Sequence, residues 1–200
     1  MFNKEIDKMI SYLKKEKDCI EISEENIYLE EKSKDGEAEL KLMVNNPCIV
    51  FKQVDKNLNS YLHYKRCADS IIFEKVNDTW ILHILEFKKT VKSKEWNGIK
   101  EQFLGGFLNA RSLAGYLGIN IDYNNIKLYT CFRNDKIRAQ RAATLIELRS
   151  QVGKSLKNTE VDDWESGQVE LYAFNKLKCE HSRIILDKDT GGGAILFSNL

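Results

Sequence analysis

Arg66-Cys67-Ala68-Asp69-Ser70-Ile71-Ile72-Phe73-Glu74-Lys75-Val76, then Asn77-Asp78, then Thr79-Trp80-Ile81-Leu82-His83-Ile84-Leu85-Glu86-Phe87-Lys88-Lys89, is the stretch on which the fold turns. Two runs rich in β-branched and aromatic residues, joined by a short Asn-Asp turn, predict a β-hairpin. Both faces of both runs are largely apolar, as expected of strands covered on two sides. From Lys94 to Leu117 the pattern changes to a helical period, with Ile99, Phe103, Phe107, Ala110, Ala114 and Leu117 on one face. Gly105-Gly106 inside that helix costs roughly 1 kcal/mol per glycine in propensity, so another backbone is expected to press against it. Gly118 is the expected terminator.

Working outward, Cys48-Ile49-Val50-Phe51 before the hairpin and Asn125–Phe132 after the helix read as strands, and 55–60 as a polar turn. Ile6, Met9, Ile10 and Leu13 give an amphipathic helix over 3–18. The acidic stretch from Glu21 to Gly36 reads as loop with short extended pieces. Arg138–Gln151 reads as a further helix, and 169–186 as a terminal strand pair (Val169–Phe174 with Arg183–Leu186). Gly191-Gly192-Gly193 has no lysine or helix after it to make a phosphate loop and reads as a flexible connection. The expected fold class is α/β, a mixed central sheet flanked by helices.

The 200 residues, 42% hydrophobic and 30% charged, suit a single domain over 1–200. No apolar run is long enough to span a membrane. Charges at Lys4, Glu5, Asp7 and Lys8 occupy the place of a secretory signal, so a cytoplasmic location is expected. Five cysteines without a Cys-x-x-Cys pair read as reduced, buried thiols, and three histidines without ligand spacing disfavour zinc. The net charge of +1 conceals a segregation. Residues 1–40 carry 7 Lys and Arg against 12 Asp and Glu, residues 41–157 carry 20 against 10, and residues 158–200 carry 4 against 8. Such a pattern suits a protein whose middle faces something anionic while its ends do not; the alternative is that the basic residues spread over all faces.

Strand alternation puts Glu86 and Lys88 on the same face as Leu82 and Ile84. A hairpin loop centred between Asn77 and Asp78 sets Asp69 directly across from Glu86. Opposed Cβ atoms are about 4.5–5.5 Å apart, and two carboxylates so close repel unless a cation lies between them. Magnesium or manganese fits oxygen ligands of this kind. Lys88 would stand beside the ion, orienting or deprotonating a water or stabilising charge on a phosphate. The competing reading is a solvated pair, with Glu86 neutralised by Lys88 or Lys89, and a three-residue loop would break the facing register.

Cys67-Ala68-Asp69, 16 intervening residues, then Glu86-Phe87-Lys88 resembles the signature of the PD-(D/E)xK nuclease superfamily, an Asp on one strand and acid-x-Lys on the next. Cys67-Ala68 stands where that family often has a proline before the Asp. The resemblance covers roughly 48–132 and implies an αβββαβ core of restriction-endonuclease-like fold. It also implies Asp69, Glu86 and the Phe87 carbonyl as ligands of Mg²⁺ or Mn²⁺, with Lys88 as the catalytic lysine. Gln102 falls where many members direct a Gln or Lys into the site; the alternative is an ordinary surface helix residue. Glu5 is the candidate for the additional glutamate that many members carry in the first helix. Lys88-Lys89, Lys92, Lys94 and Lys100, with Arg133, Lys136, Arg138 and Arg141, could line a phosphate path. His63, His83 and His181 read as structural, His83 lying on the strand face opposite Glu86.

The function expected is a metal-dependent nuclease, an endonuclease hydrolysing phosphodiester bonds, with DNA ahead of RNA as partner and a homodimer compatible with it. The alternatives are a non-catalytic nucleic-acid- or protein-binding module of the same fold, and a small-nucleotide phosphodiesterase.

Overall fold

The computed structural model describes residues 2, 4–13, 19–33, 36–54, 66–137, 159–173 and 176–197. The quoted hairpin is present: β5 (Ser70–Val76) and β6 (Thr79–Val91) pair antiparallel with Val76 opposite Thr79, leaving a two-residue turn. Asn77 takes a left-handed conformation there, φ 54°, which Asn tolerates better than most residues.

Around that hairpin a seven-stranded mixed sheet forms in the order β1-β4-β5-β6-β7-β9-β8. Its other strands are β1 (Ile20–Ser23), β4 (Cys48–Lys52), β7 (Ile126–Asp135), β8 (Gln168–Tyr172) and β9 (Lys176–Ile185). The pairs β1/β4, β4/β5, β5/β6 and β8/β9 are antiparallel, while β6/β7 and β7/β9 are parallel. Helix α2 (Ser93–Leu117) connects β6 to β7, as a parallel connection requires. It ends where Gly118, φ 70°, closes the last turn against the Ala114 and Gly115 carbonyls.

The sheet is covered on two sides. On one, α1 (Lys4–Tyr12), α2 and α3 (Thr159–Ser166) bury Ile6, Ile10, Phe103, Phe107 and Trp164 against Ile71, Phe73, Leu82 and Ile84. On the other lies a three-stranded sheet of order β10-β3-β2, made of β2 (Asn26–Ser33), β3 (Gly36–Met43) and β10 (Gly192–Leu196). Its Ile27, Leu29, Leu40 and Leu42 pack with Ile72, Leu85, Phe87 and Tyr129.

Three expectations are corrected. The acidic stretch is strand for most of its described length, β1 to Ser23 and β2 from Asn26: Ile27 and Leu29 alternate with solvent-facing neighbours, a period-two pattern that the acidic residues on the outer face obscure. Gly191-Gly192-Gly193 is not a loose connection, because β10 pairs in parallel with β3 from Gly192 opposite Glu39 to Leu196 opposite Met43. The terminal pair is antiparallel with Val169 facing Cys179, so β9 starts at Lys176, well before Arg183. The first helix occupies Lys4–Tyr12, within the expected 3–18. The turn at 55–60 and the helix at 138–151 lie outside the described residues. Among the described residues no helix is long and apolar enough to cross a membrane.

Candidate active site

Strand β6 outruns its neighbour. β5 begins at Ser70 opposite Leu85, so past Glu86 no described strand takes up the β6 edge on that side. The orphaned Phe87 N–H donates instead to Asp69 Oδ2 at 2.7 Å. One hydrogen bond therefore satisfies a backbone donor that would otherwise go unpaired and fixes the Asp69 carboxylate beside Glu86.

Asp69 is held from behind as well. The segment 66–68 leading into it lies on α2 at the two glycines: a Cβ on Gly105 would fall 1.7 Å from the Arg66 carbonyl oxygen, and one on Gly106 would fall 2.8 Å from Ile84 Cγ2 and 3.1 Å from Ala68 Cβ. The close backbone approach expected at Gly105-Gly106 is thus the device that lets the chain reach Asp69. Asn109, one turn on, donates Nδ2–H to the Gly105 carbonyl at 2.9 Å and to Cys67 Sγ at 3.3 Å, tying helix and segment together.

Glu86 points toward the helix side, as alternation from Leu82 and Ile84 requires. It is 1% exposed. Its Oε1 accepts a bond from Lys88 Nζ, and its Oε2 is buried without a partner. Burial drives its pKa well above the ordinary carboxylate value and the neighbouring Asp69 charge adds to this, against the opposing pull of Lys88 and the Gln102 amide. A buried carboxyl that faces a second one and keeps an oxygen lone pair without a donor is a place where a cation would be stabilising.

These groups open into a cleft of about 340 Å³ lined by Asp69, Glu86, Phe87, Lys88, Lys89, Gln102 and Arg133 and, from β2 and β3, by Glu31, Gly36, Glu37 and Ala38. The donor set fits a hard divalent ion, since two facing carboxylates with an unpartnered buried oxygen supply the charge and the oxygen atoms it needs. Among the described residues no group of three or more His, Cys, Asp or Glu side chains is arranged to hold a metal; the third ligand implied by the resemblance is a backbone carbonyl, that of Phe87.

The structure separates the remaining basic residues. Lys100 is turned away from the cleft, bonded to Asp163 at 3.0 Å and lying over the Trp96 ring. Lys92 sits 3.6 Å from Glu95 at the start of α2, and Lys94 is exposed on its first turn; neither lines the cleft. Glu5 is exposed on α1 and does not line it either. Arg138 and Arg141 lie outside the described residues. The division of charge by chain segment does not carry over cleanly into space, because Glu31 of the acidic N-terminal part contributes to one wall of the cleft. Sequence reasoning missed that wall; the alternation around Ile27, Leu29, Leu40 and Leu42 was the signal for it.

His83 lies on the opposite face, stacked on Phe197 with ring centroids 4.1 Å apart, and His181 is packed under Trp96 and bonded to Thr130. None of the five cysteines forms a disulfide, four of them are buried, and burial pushes the Cys179 thiol up to about 11. No protein-family model, curated protein or solved structure matches this chain significantly.

Proposed function

We propose that the cleft is the active site of a metal-dependent phosphodiesterase acting on nucleic acid, an endonuclease of the PD-(D/E)xK kind. The observation that carries this reading is the Asp69–Glu86 pair, with its unpartnered Glu86 oxygen and with Lys88 and Gln102 on the same carboxylate. The order α1, β4-β5-β6, α2, β7 supports the αβββαβ core that the resemblance implies. A structural ion pair would satisfy both Glu86 oxygens; this one leaves a buried oxygen without a partner beside the cleft.

Asp69, Glu86 and the Phe87 carbonyl would hold Mg²⁺ or Mn²⁺, which supplies Lewis-acid polarisation of the phosphate and acidifies a water. Lys88 does the rest of the charge work. Protonated, it has no lone pair for an ion, and its ammonium orients the attacking water or neutralises the phosphorane-like transition state. Gln102 pulls toward the charged form of Glu86, against the larger effects of burial and Asp69. Lys89 and Arg133 contact phosphates along the cleft, and a second copy of the chain is not required for any of these roles.

Incubating the purified protein with labelled single- and double-stranded DNA and RNA, with Mg²⁺, with Mn²⁺ and with chelator, tests the reading. Metal-dependent internal cleavage that disappears in Asp69→Ala and Lys88→Ala is expected. Hydrolysis of free dinucleotides alone would favour the small-nucleotide alternative, and metal-independent binding without cleavage would favour the binding module.

A further inference from the structure

Glu86, Thr130 and Arg183 lie in one row across three neighbouring strands, since Glu86 of β6 is opposite Thr130 of β7 and Thr130 is opposite Arg183 of β9. All three side chains leave the sheet on its helix side. Glu86 follows Leu82 and Ile84, Thr130 stands between Leu128 and Phe132 in the same alternation, and Arg183 lies over the Trp164 ring. His181 shares that face, its ring among Trp96, Phe103 and Trp164 at centroid distances of 5.1, 5.8 and 5.3 Å. Among the described residues five buried side-chain polar atoms have no hydrogen-bond partner, and four of them belong to this layer: Glu86 Oε2, His181 Nδ1, Trp96 Nε1 and Arg183 Nη1. Gathered in one place, they mark an incomplete network rather than scattered defects.

The polarity of the network follows from its donors. His181 is buried, and burial with the Arg183 charge brings its pKa down to about 3, so the ring is neutral and has one N–H and one lone pair. Trp96 Nε1 and Arg183 Nη1 can only donate. With the lone pair on Nδ1, His181 offers an acceptor to a layer whose other orphaned nitrogens are donors; with the proton there, it would add a third orphaned donor near the Arg183 charge. The proton therefore belongs on Nε2, which lies 2.9 Å from Thr130 Oγ1 and donates to it. Thr130 is fully buried, and with its oxygen accepting from His181 its own O–H is left to donate. The acceptor without a partner on the adjacent strand is Glu86 Oε2. Neighbouring strands are about 4.8 Å apart, so side-chain rotation alone brings hydroxyl and carboxylate together.

We infer that Thr130, oriented by His181, is a positioning residue for the metal site: its hydroxyl donates to Glu86 Oε2 when that carboxylate holds its cation. The inference rests on the proposed metal-dependent reading and adds to it the outer partners that fix the ligand. Lys88 takes one lone pair on Oε1 and Thr130 takes one on Oε2, which leaves the remaining lone pairs of the carboxylate to the ion.

Calorimetric titration of Mn²⁺ into the wild type, Thr130→Val, Thr130→Ser and His181→Phe tests this, with the melting temperature of each measured without the ion. Thr130→Val keeps the shape and removes the hydroxyl, and it should bind Mn²⁺ about 10–100-fold more weakly, the usual loss when an outer partner of a metal ligand is removed. Thr130→Ser should restore most of the affinity. His181→Phe keeps a ring among the tryptophans and should weaken binding by a smaller factor, because the hydroxyl remains but is no longer oriented. Glu74→Gln is the control for lost stability alone, with a lower melting temperature and unchanged affinity for the ion. Thr130→Val at wild-type affinity, or Thr130→Ser no tighter than Thr130→Val, would overturn the inference and leave the metal site and the nuclease reading standing. If Thr130→Val does not fold, His181→Phe decides alone, and wild-type affinity there would overturn it. A wild type that binds no Mn²⁺ would overturn both readings together.

Discussion

Glu74 and Glu86 are buried glutamates on adjacent strands of one sheet, 7% and 1% exposed, yet they are treated in opposite ways. Glu74 lies on the face covered by the three-stranded sheet, where His83 Nε2 bonds its Oε2 at 3.0 Å and Asn46 Nδ2 bonds its Oε1 at 2.8 Å. The Tyr129 hydroxyl lies 2.9 Å from His83 Nδ1 and completes a closed network. Burial alone would raise the Glu74 pKa, but the bonds from His83 and Asn46 outweigh it and hold the carboxyl below its ordinary value. Burial likewise holds His83 low, so the imidazole is neutral and donates its Nε2 proton. Glu86, by contrast, keeps an oxygen bare, faces Asp69 and is raised. The difference teaches what a structural carboxylate costs to complete and identifies the one left incomplete as the candidate for chemistry.

The largest expected effect concerns the incomplete side. Lys88→Ala should spare divalent-ion binding while lowering turnover by about 10²–10³-fold, the usual loss when one transition-state donor is removed. Asp69→Ala and Glu86→Ala should lose ion binding and activity together. If Lys88→Ala lost the ion as completely as Asp69→Ala does, the division of roles would be wrong, and Mn²⁺ titration of the three variants separates the cases.

Next comes the backing of Asp69. Gly105→Ala sets a methyl against the Arg66 carbonyl, so the 66–68 segment must move or the helix must yield. A loss of about 1–3 kcal/mol, typical of overpacking, is expected by denaturant unfolding, accompanied by weaker ion binding. Gly98→Ala, with nothing within 4 Å of the added Cβ, is the control that should do neither.

On the completed side, Glu74→Gln should cost about 1–3 kcal/mol by leaving its network unsatisfied, with ion binding unchanged. A Glu74 variant that lost the ion would break the contrast between the two glutamates. The pH dependences should also diverge. A carboxyl lowered in the folded state gives stability that is present above its unfolded pKa and lost as pH falls through the folded value, so Glu74 contributes to acid unfolding. A carboxyl raised in the folded state does the reverse: stability falls as pH rises from the ordinary carboxylate value toward the raised one. Glu86→Gln should therefore flatten the loss of stability above about pH 4.5, the smallest of these effects, read as melting temperature across a pH series without added metal.

The Glu86 side of this contrast was legible in the sequence, the Glu74 side was not, and what was missed has physical causes. The facing of Asp69 and Glu86 followed from the two-residue Asn77-Asp78 turn, because register in a tight hairpin is set by the turn. The pressure on Gly105-Gly106 followed from their helix-weakening cost. That Asp69 would bond the Phe87 N–H depended on β6 running past the start of β5, and strand ends are poorly marked when both runs are apolar throughout. The wall to which Glu31 contributes is hidden for another reason: an acidic composition reads as loop, although Ile27 and Leu29 alternate beneath it. Lys100 shows the limit of charge counting, since Asp163, 63 residues away, claims it.

The central claim is that Glu86 is kept raised and half-bonded to await a divalent cation. Calorimetric titration of Mn²⁺ into the wild-type protein and into Glu86→Gln, each in two buffers of different ionisation enthalpy, tests it most directly. The wild type is expected to bind one ion with release of protons, and to bind more tightly as pH rises, because the ion displaces the proton that burial and Asp69 favour on Glu86. Glu86→Gln is expected to bind far more weakly and to release none. Equal binding by the two proteins, or binding by the wild type with no buffer dependence below the raised Glu86 pKa, would contradict the claim.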